Sequence, residues 1–417
     1  MKTLVLDDDP TGTQAAADVA VVLEPQGQAV VAVLEAEPAV YVQTNSRAID
    51  AQAAVARVTA IREAVAGYSA RSGEQVRVVL RGDSTLRGHV FAETDAIAPA
   101  DAVIVFAPAF PGGGRVTVDG VHYVEVDGVR VPAAQSEYAD DPVFPFTSSA
   151  LVDYVAEKSG HQALSVPLAQ VRAGQFAHAL QSAAPGTVLL PDLEHDSDAT
   201  LIAHGIMAAE AAGVTVVVRC AAPLAAELAG VRSSGSLTAE QLPTSRRALV
   251  VCGSHTTGAT SQLQVLAERG GPALEISTEA VFSDPAAEVA RVLQAAREHL
   301  LAGRTPMIST ERHRRPEHDT LAHGEAVMRC LIAVTRHLVP EVDVIVSKGG
   351  ITASEVASTA IGATTARVLG QVLAGVSVWR MSTDAGSPIL QVIVPGNVGG
   401  PTAIRDALAA ICPSGQG

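Results

Sequence analysis

Thr3-Leu4-Val5-Leu6-Asp7-Asp8-Asp9-Pro10-Thr11-Gly12-Thr13-Gln14 is a short apolar run that breaks into three consecutive aspartates and a Pro/Gly turn. Four apolar-rich residues followed by turn chemistry read as a strand rather than a helix. Acids at the carboxyl end of a strand stand where open α/β sheets hold their ligands. The pattern repeats along the chain, with strands expected at Val19–Leu23, Val40–Gln43, Val76–Leu80, Ala102–Phe106, Thr187–Leu190 and Val214–Val218. Between them, Ala51–Ala66 and Asp198–Ala212 carry helical spacing. Alternating short strands and helices predict an α/β protein with largely parallel sheets.

A chain of 417 residues exceeds the size at which a single hydrophobic core stops growing, so two domains are expected. Val231–Arg247, rich in Ser, Gly, Thr and Arg, marks the boundary, giving domains 1–238 and 239–417. The second repeats the α/β pattern, with strands expected at Ala248–Val251, Val342–Val346 and Leu390–Val394. Helices are expected at Ser261–Glu268, Ala286–Leu301, His323–His337 and Ser354–Leu369. Pro108–Pro145 is too long for an ordinary connection and reads as a functional excursion.

Hydrophobic residues make up 48% of the chain, yet no apolar run approaches the roughly 20 residues of a membrane span. The beginning, Met1 to Asp7, has no long apolar segment with a cleavage site, so a cytoplasmic protein is expected and a membrane partner is not. A formal charge of -15 argues against nucleic acid, whose binding rests on many Lys and Arg contacts. The four cysteines, Cys220, Cys252, Cys330 and Cys412, form no CxxC pair and indicate neither zinc nor a disulfide framework. A small anion remains a suitable ligand wherever the few arginines gather.

In the first half they gather at strand ends. Asp7–Asp9 could serve as a helix cap, but a cap needs one acid and leaves the others without a task. Thr44-Asn45-Ser46-Arg47 ends another strand with hydroxyl, amide and guanidinium groups, although Asn45 or Ser46 could also cap a helix. Arg81-Gly82-Asp83-Ser84-Thr85-Leu86-Arg87-Gly88-His89 combines two arginines, an acid, two hydroxyls and two glycines. Glycines let backbone approach a ligand, and a guanidinium fork grips a carboxylate as lysine cannot. Phe110-Pro111-Gly112-Gly113-Gly114-Arg115 ends a fourth strand with flexible backbone and another arginine. Two charge-assisted contacts of roughly 1.5–3 kcal/mol each suffice to orient a small acid.

The second half has three strand–glycine–helix junctions: Cys252-Gly253-Ser254-His255-Thr256, Ser347-Lys348-Gly349-Gly350-Ile351-Thr352 and Pro395-Gly396-Asn397-Val398-Gly399. Such junctions bind anions through free backbone N–H groups, and close helix–sheet packing is the other use of their glycines. None matches GxxxxGK[ST] or GxGxxG, so a different nucleotide-site design is expected. His255, His313, His318 and His323 lack metal-ligand spacing, and Glu311-Arg312-His313-Arg314-Arg315 is either a solvated loop or a phosphate contact.

Taken in order, these segments resemble the four-carbon acid sugar kinase family, whose members have separate substrate-binding and nucleotide-binding domains. Asp8-Asp9-Pro10-Thr11-Gly12 is similar to the family's Asp-Asp-x-Thr-Gly motif, and Asp83-Ser84-Thr85-Leu86-Arg87-Gly88 to its Asp-Ser-Thr-x-Arg-Gly motif. Phe110-Pro111 through Arg115 is similar to its Phe-Pro-x-x-Gly-Arg stretch. Gly253-Ser254, Lys348-Gly349-Gly350-Ile351-Thr352 and Gly396-Asn397-Val398-Gly399 follow in the family's order, so the resemblance covers nearly the whole chain.

The resemblance implies phosphorylation of threonate, erythronate or a 3-oxo-tetronate-like acid by ATP with Mg²⁺, usually at the terminal hydroxyl. It also implies that Ser254, Gly349, Gly350, Ile351, Thr352 and Gly396 lie at the nucleotide; Lys348 and Asn397 are expected there as members of the same junctions. The first domain is then the sugar-acid domain and the second the nucleotide domain, with the active site expected in the cleft between them. Arg47, Arg81 and Arg87 are expected to hold the acid, with Asp9, Asn45, Ser84 and Arg115 completing the set. Asp8 or Asp83 is expected to accept the hydroxyl proton, and no metal ligands are assigned. The expected partner is a small anionic sugar acid, and a homodimer is one possible assembly. A non-catalytic nucleotide or sugar-acid sensor is the alternative from another class, although it has no need of clustered carboxylates.

Overall fold

Every residue of the strands Ala39–Gln43 and Val103–Ala107 is buried, as it must be in a parallel sheet covered on both faces. The computed structural model describes residues 1–9, 11–126, 128–242, 247–312, 321–396 and 398–412, and the chain divides into two units, Met1–Ser233 and Ser234–Gly417. Both have the α/β character expected from the sequence.

The first unit contains β1 (Lys2–Asp7), β2 (Val19–Val22), β3 (Ala39–Gln43), β4 (Val76–Arg81), β5 (Val103–Ala107), β6 (Arg115–Val118), β7 (Val121–Val126), β8 (Val129–Pro132), β9 (Ala163–Val166), β10 (Val188–Pro191) and β11 (Val216–Cys220). Its main sheet runs β2-β3-β1-β4-β11-β5-β10-β9, all parallel. From β1 the chain passes to β2 and back to β3 on one side, then enters β4 on the other. That reversal makes the carboxyl ends of β1 and β4 a topological switch point, where open α/β sheets bind ligands. The helix Ala51–Ser72 starts at Asp50, whose side chain accepts from Ala53 N, and stops at Gly73 with φ +76. Its Val58, Ile61, Val65 and Tyr68 pack with Leu4, Leu6, Val40, Val42 and Leu80 in one core.

The Pro108–Pro145 excursion contains a second, antiparallel sheet, β6-β7-β8. It is fixed to the main body through the Thr117–Leu193 bridge and through Val124, which packs with Phe106, Leu86 and Tyr154.

The second unit contains β12 (Ala248–Cys252), β13 (Leu274–Ile276), β14 (Met307–Thr310), β15 (Val344–Lys348), β16 (Thr365–Leu373), β17 (Val376–Ser382) and β18 (Pro388–Val394). Its sheet runs β13-β14-β12-β15-β18-β17-β16; the first five strands are parallel, and β17 pairs antiparallel with both β18 and β16. The helix expected over Ser354–Leu369 does not form. A helix of Gly350–Glu355 passes into a π-turn, Val356–Ala360, and Gly362 at φ +76 ends it. From Thr365 the side chains alternate, with Ala366, Val368, Gly370 and Val372 inward, which is the period of a strand. Among the described residues no helix is long and apolar enough to cross a membrane.

Candidate functional site

Asp7 ends β1 and Arg81 ends β4, and strand register sets them side by side. Arg81 Nη1 lies 3.0 Å from Asp7 Oδ1 and 3.7 Å from Asp8 Oδ1. From the end of β3, Arg47 reaches three carboxylates: it is paired with Asp9 and stands 3.5 Å from Asp8 and 3.6 Å from Asp83. Arg87 donates to Asp83 at 2.7 Å and meets Asp141 at 3.5 Å. Thus Asp8, Asp9, Arg47, Arg81, Asp83 and Arg87, singled out separately in the sequence, form one network. Asn45 gives the sharp exit from β3 by adopting a left-handed conformation, φ +46.

Arg219, at the end of β11, was not singled out in the sequence and completes the network. It is 1% exposed, donates to Asp8 Oδ2 at 2.9 Å and is paired with the equally buried Glu93. Gly82 is required beside it, since a Cβ there would stand 2.6 Å from the guanidinium.

The excursion supports the loop after β4. His122 Nε2 donates to Ser84 O at 2.8 Å, which leaves Nδ1 to accept from Thr117 Oγ1 at 3.0 Å. Burial pushes this imidazole down to about 4, so it stays neutral. Tyr154 donates its hydroxyl to Leu86 O at 2.7 Å, holding a buried leucine whose φ is +68. Arg115 is buried as well; its Nη1 donates to Gly113 O, and its Nε has no partner.

The carboxylates differ in proton affinity. Burial raises Asp7 to about 7 against the opposing pull of Arg81. Burial also raises Asp8, although Arg47, Arg219 and Arg81 oppose it. For Asp83, Arg87 and Arg47 together with Thr85 outweigh burial and hold the carboxyl well below the usual range, and Arg47 and Arg81 also lower Asp9. Of the two proton acceptors left open by the sequence, Asp8 has the better basicity.

In the second unit a cavity of about 990 Å³ is lined by Gly253, Ser254, His255, Gly349, Gly350, Ile351, Thr352 and Gly396, among others. Close packing explains two of these glycines. A Cβ on Gly253 would stand 2.3 Å from Thr352 Oγ1, and Gly349 adopts φ +108 beside Ser254. Thr256 donates to Gly396 O at 3.1 Å, tying the first junction to the third. Ile351, 59% exposed, shares the wall with Met328 and Ile332 and gives the cavity an apolar side. Glu311 and His323 also line it, and Arg312 Nη2 donates to Ser254 O at 2.6 Å. Asn397, His313, His318, Arg314 and Arg315 lie outside the described residues.

Lys348 does not line the cavity. It is fully buried, and its Nζ donates to Pro395 O at 2.7 Å and Val398 O at 3.1 Å. It clamps the third junction, which Gln262 Nε2 also holds through Val398 O and Gly399 O.

The cavity fits a nucleotide: its volume is that of a small-molecule site, and it joins an apolar wall to glycine-rich backbone. Among the described residues no group of three or more His, Cys, Asp or Glu side chains could hold a metal ion. Mg²⁺ commonly binds through substrate phosphates and only one or two carboxylates, which is compatible with this cavity.

Comparison with known proteins follows the same division. Residues 3–228 match the family model of a sugar-binding N-terminal domain and residues 249–404 that of a nucleotide-binding C-terminal domain. The chain is 30% identical over 269 residues to a D-erythronate kinase of Heliobacterium modesticaldum, covering 62% of this chain and 58% of that protein's length. It is 30% identical over 328 residues to a D-threonate kinase of Salmonella typhimurium, covering 75% of this chain and 72% of that one. Its fold is similar to that of a solved Haemophilus influenzae protein, with a TM-score of 0.68, 16% identity and coverage of 98% and 100%. Given both domain models and the D-threonate kinase relative, the chain belongs to the four-carbon acid sugar kinase family.

Proposed function

We propose that this protein is an ATP-dependent kinase that phosphorylates a short sugar acid of the threonate or erythronate class, at its terminal hydroxyl. The first unit is read as the acid site and the second as the nucleotide site. The observation that carries this reading is the Asp8 environment: a buried carboxylate of raised basicity, fixed by three arginines at the carboxyl ends of β1 and β4. When bound, ATP supplies the phosphoryl group and Mg²⁺ offsets the charge on its phosphates.

Asp8 accepts the proton of the attacking hydroxyl, while Asp9 and Asp83 accept hydrogen bonds from other hydroxyls and orient them. Phosphoryl transfer demands alignment above all, and three carboxylates cross-linked by Arg47 provide a rigid frame for it. In the second unit Ser254, Gly349–Thr352 and Gly396 hold the nucleotide, with backbone at its phosphates and Ile351, Met328 and Ile332 against its base.

The test is coupled ADP release with ATP and Mg²⁺ across four-carbon and five-carbon sugar acids. The expected result is acid-dependent ADP formation that Asp8→Asn lowers by about 100-fold or more, as the loss of a general base does. Binding of ATP and acid without ADP release would indicate a sensor, and full activity in Asp8→Asn would remove the base assignment.

A further inference from the structure

Five carboxylates and four guanidiniums make up the network of the first unit: Asp7, Asp8, Asp9, Asp83 and Glu93 against Arg47, Arg81, Arg87 and Arg219. Asp141, which meets Arg87, widens the acidic excess. Every guanidinium of the network already faces a carboxylate of the chain. Such a network accepts hydrogen bonds from hydroxyls readily, but no guanidinium in it stands clear of a carboxylate of the chain.

Arg115 does. It starts β6, just after the loop that follows β5, and β5 lies beyond β11 from β4 on the same sheet. It is 5% exposed and its Nε has no partner. Among the described residues it makes no ion pair within 4.0 Å, and its Nη1 bonds only the neutral Gly113 carbonyl. A buried guanidinium without a counter-ion is costly, and a bound anion removes that cost. Arg115 also belongs to the neighbourhood of the Asp83–Arg87 loop. His122, bonded to Ser84 O, feels Arg115 and Asp83 with opposite signs, so both lie within electrostatic reach of one ring.

We propose that Arg115 recognises the substrate carboxylate, while the Asp8–Asp9–Asp83 network recognises the hydroxyls. This rests on reading the first unit as a sugar-acid site and deepens it, because it makes Arg115 the residue that selects an acid over a neutral polyol. A four-carbon acid is then anchored at the β5 end by its carboxylate and extends its hydroxyls toward Asp8.

The test measures binding of D-threonate, D-erythronate and their neutral amides by titration calorimetry without nucleotide, on the full chain and on Arg115→Met and Arg115→Lys. The full chain should prefer acid to amide by about 10- to 100-fold, the worth of one charge-assisted bond. Arg115→Met should abolish the preference by losing affinity for the acid, while its affinity for the amide stays within about threefold. Arg115→Lys, which keeps the charge and loses the fork, should fall between. If no acid is phosphorylated and the preference still follows Arg115, the kinase reading fails and this proposal stands. If ADP release is normal and Arg115→Met keeps the full preference, the proposal is overturned and the kinase reading survives. Should Arg115→Met fail to fold, an unchanged preference in Arg115→Lys overturns it, as does a wild-type chain that does not discriminate acid from amide.

Discussion

Arg219→Met should destabilise the first unit by about 3–5 kcal/mol, the cost of removing one partner from a buried ion pair. The structure puts the effect at the high end of single substitutions, because the guanidinium and both of its carboxylate partners are each 1% exposed. Asp8 keeps Arg47 Nε at 3.5 Å and Arg81 Nη1 at 3.7 Å, whereas Glu93 has no other ion pair among the described residues. Glu93 is therefore the group left uncompensated, and adding Glu93→Gln should restore about 1–3 kcal/mol. Urea unfolding followed by tyrosine fluorescence reads this unit selectively. All five tyrosines, Tyr41, Tyr68, Tyr123, Tyr138 and Tyr154, belong to it, while the one tryptophan, Trp379, belongs to the other. The tyrosine transition should move to lower urea by roughly 1–3 M. A loss below about 1 kcal/mol, or a double variant no more stable than Arg219→Met alone, would refute the reasoning.

Two further outcomes follow from the same geometry. Asp7 has its folded-state proton affinity raised from 3.8 to about 7, so its contribution to stability is complete below the unfolded value and is lost as pH rises through about 7. Relative to Asp7→Asn, the wild-type chain should lose about 2–3 kcal/mol between pH 5 and pH 8; a pH-independent difference would contradict this. Lys348→Met removes both bonds to the Pro395 and Val398 carbonyls, so affinity for an ATP analogue should fall about tenfold with sugar-acid affinity unchanged. Calorimetric affinities for both ligands check it, and an unaltered nucleotide affinity would show that the clamp does not shape the cavity.

Much of the first site was legible because its residues close apolar runs. Asp7–Asp9, Arg47, Arg81 and Asp83 all follow strand ends, and a parallel sheet gathers strand ends on one edge. Arg219 and Glu93 were not legible, because their part depends on strand order. Arg219 is 138 residues from Arg81 in the chain, yet β11 pairs directly with β4 and sets Cys220 opposite Arg81. One signal was available: an arginine at the end of the run Val214–Val218, next to a buried cysteine, required a buried counter-ion. Ser354–Leu369 misled because alanines and small residues conceal period. The alternation of Ala366, Val368, Gly370 and Val372 becomes evident only once β17 pairs with it. Lys348 was expected at the nucleotide as a member of its glycine junction, but its side chain turns into the protein to hold carbonyls of the third junction.

The most direct test of the account is phosphorus NMR on the full chain incubated with ATP, Mg²⁺ and D-threonate or D-erythronate. It predicts loss of the ATP γ-signal and growth of a phosphomonoester resonance coupled to a CH₂ group, the mark of a terminal hydroxyl. Growth of inorganic phosphate alone, or unchanged ATP with every four-carbon acid, would contradict it.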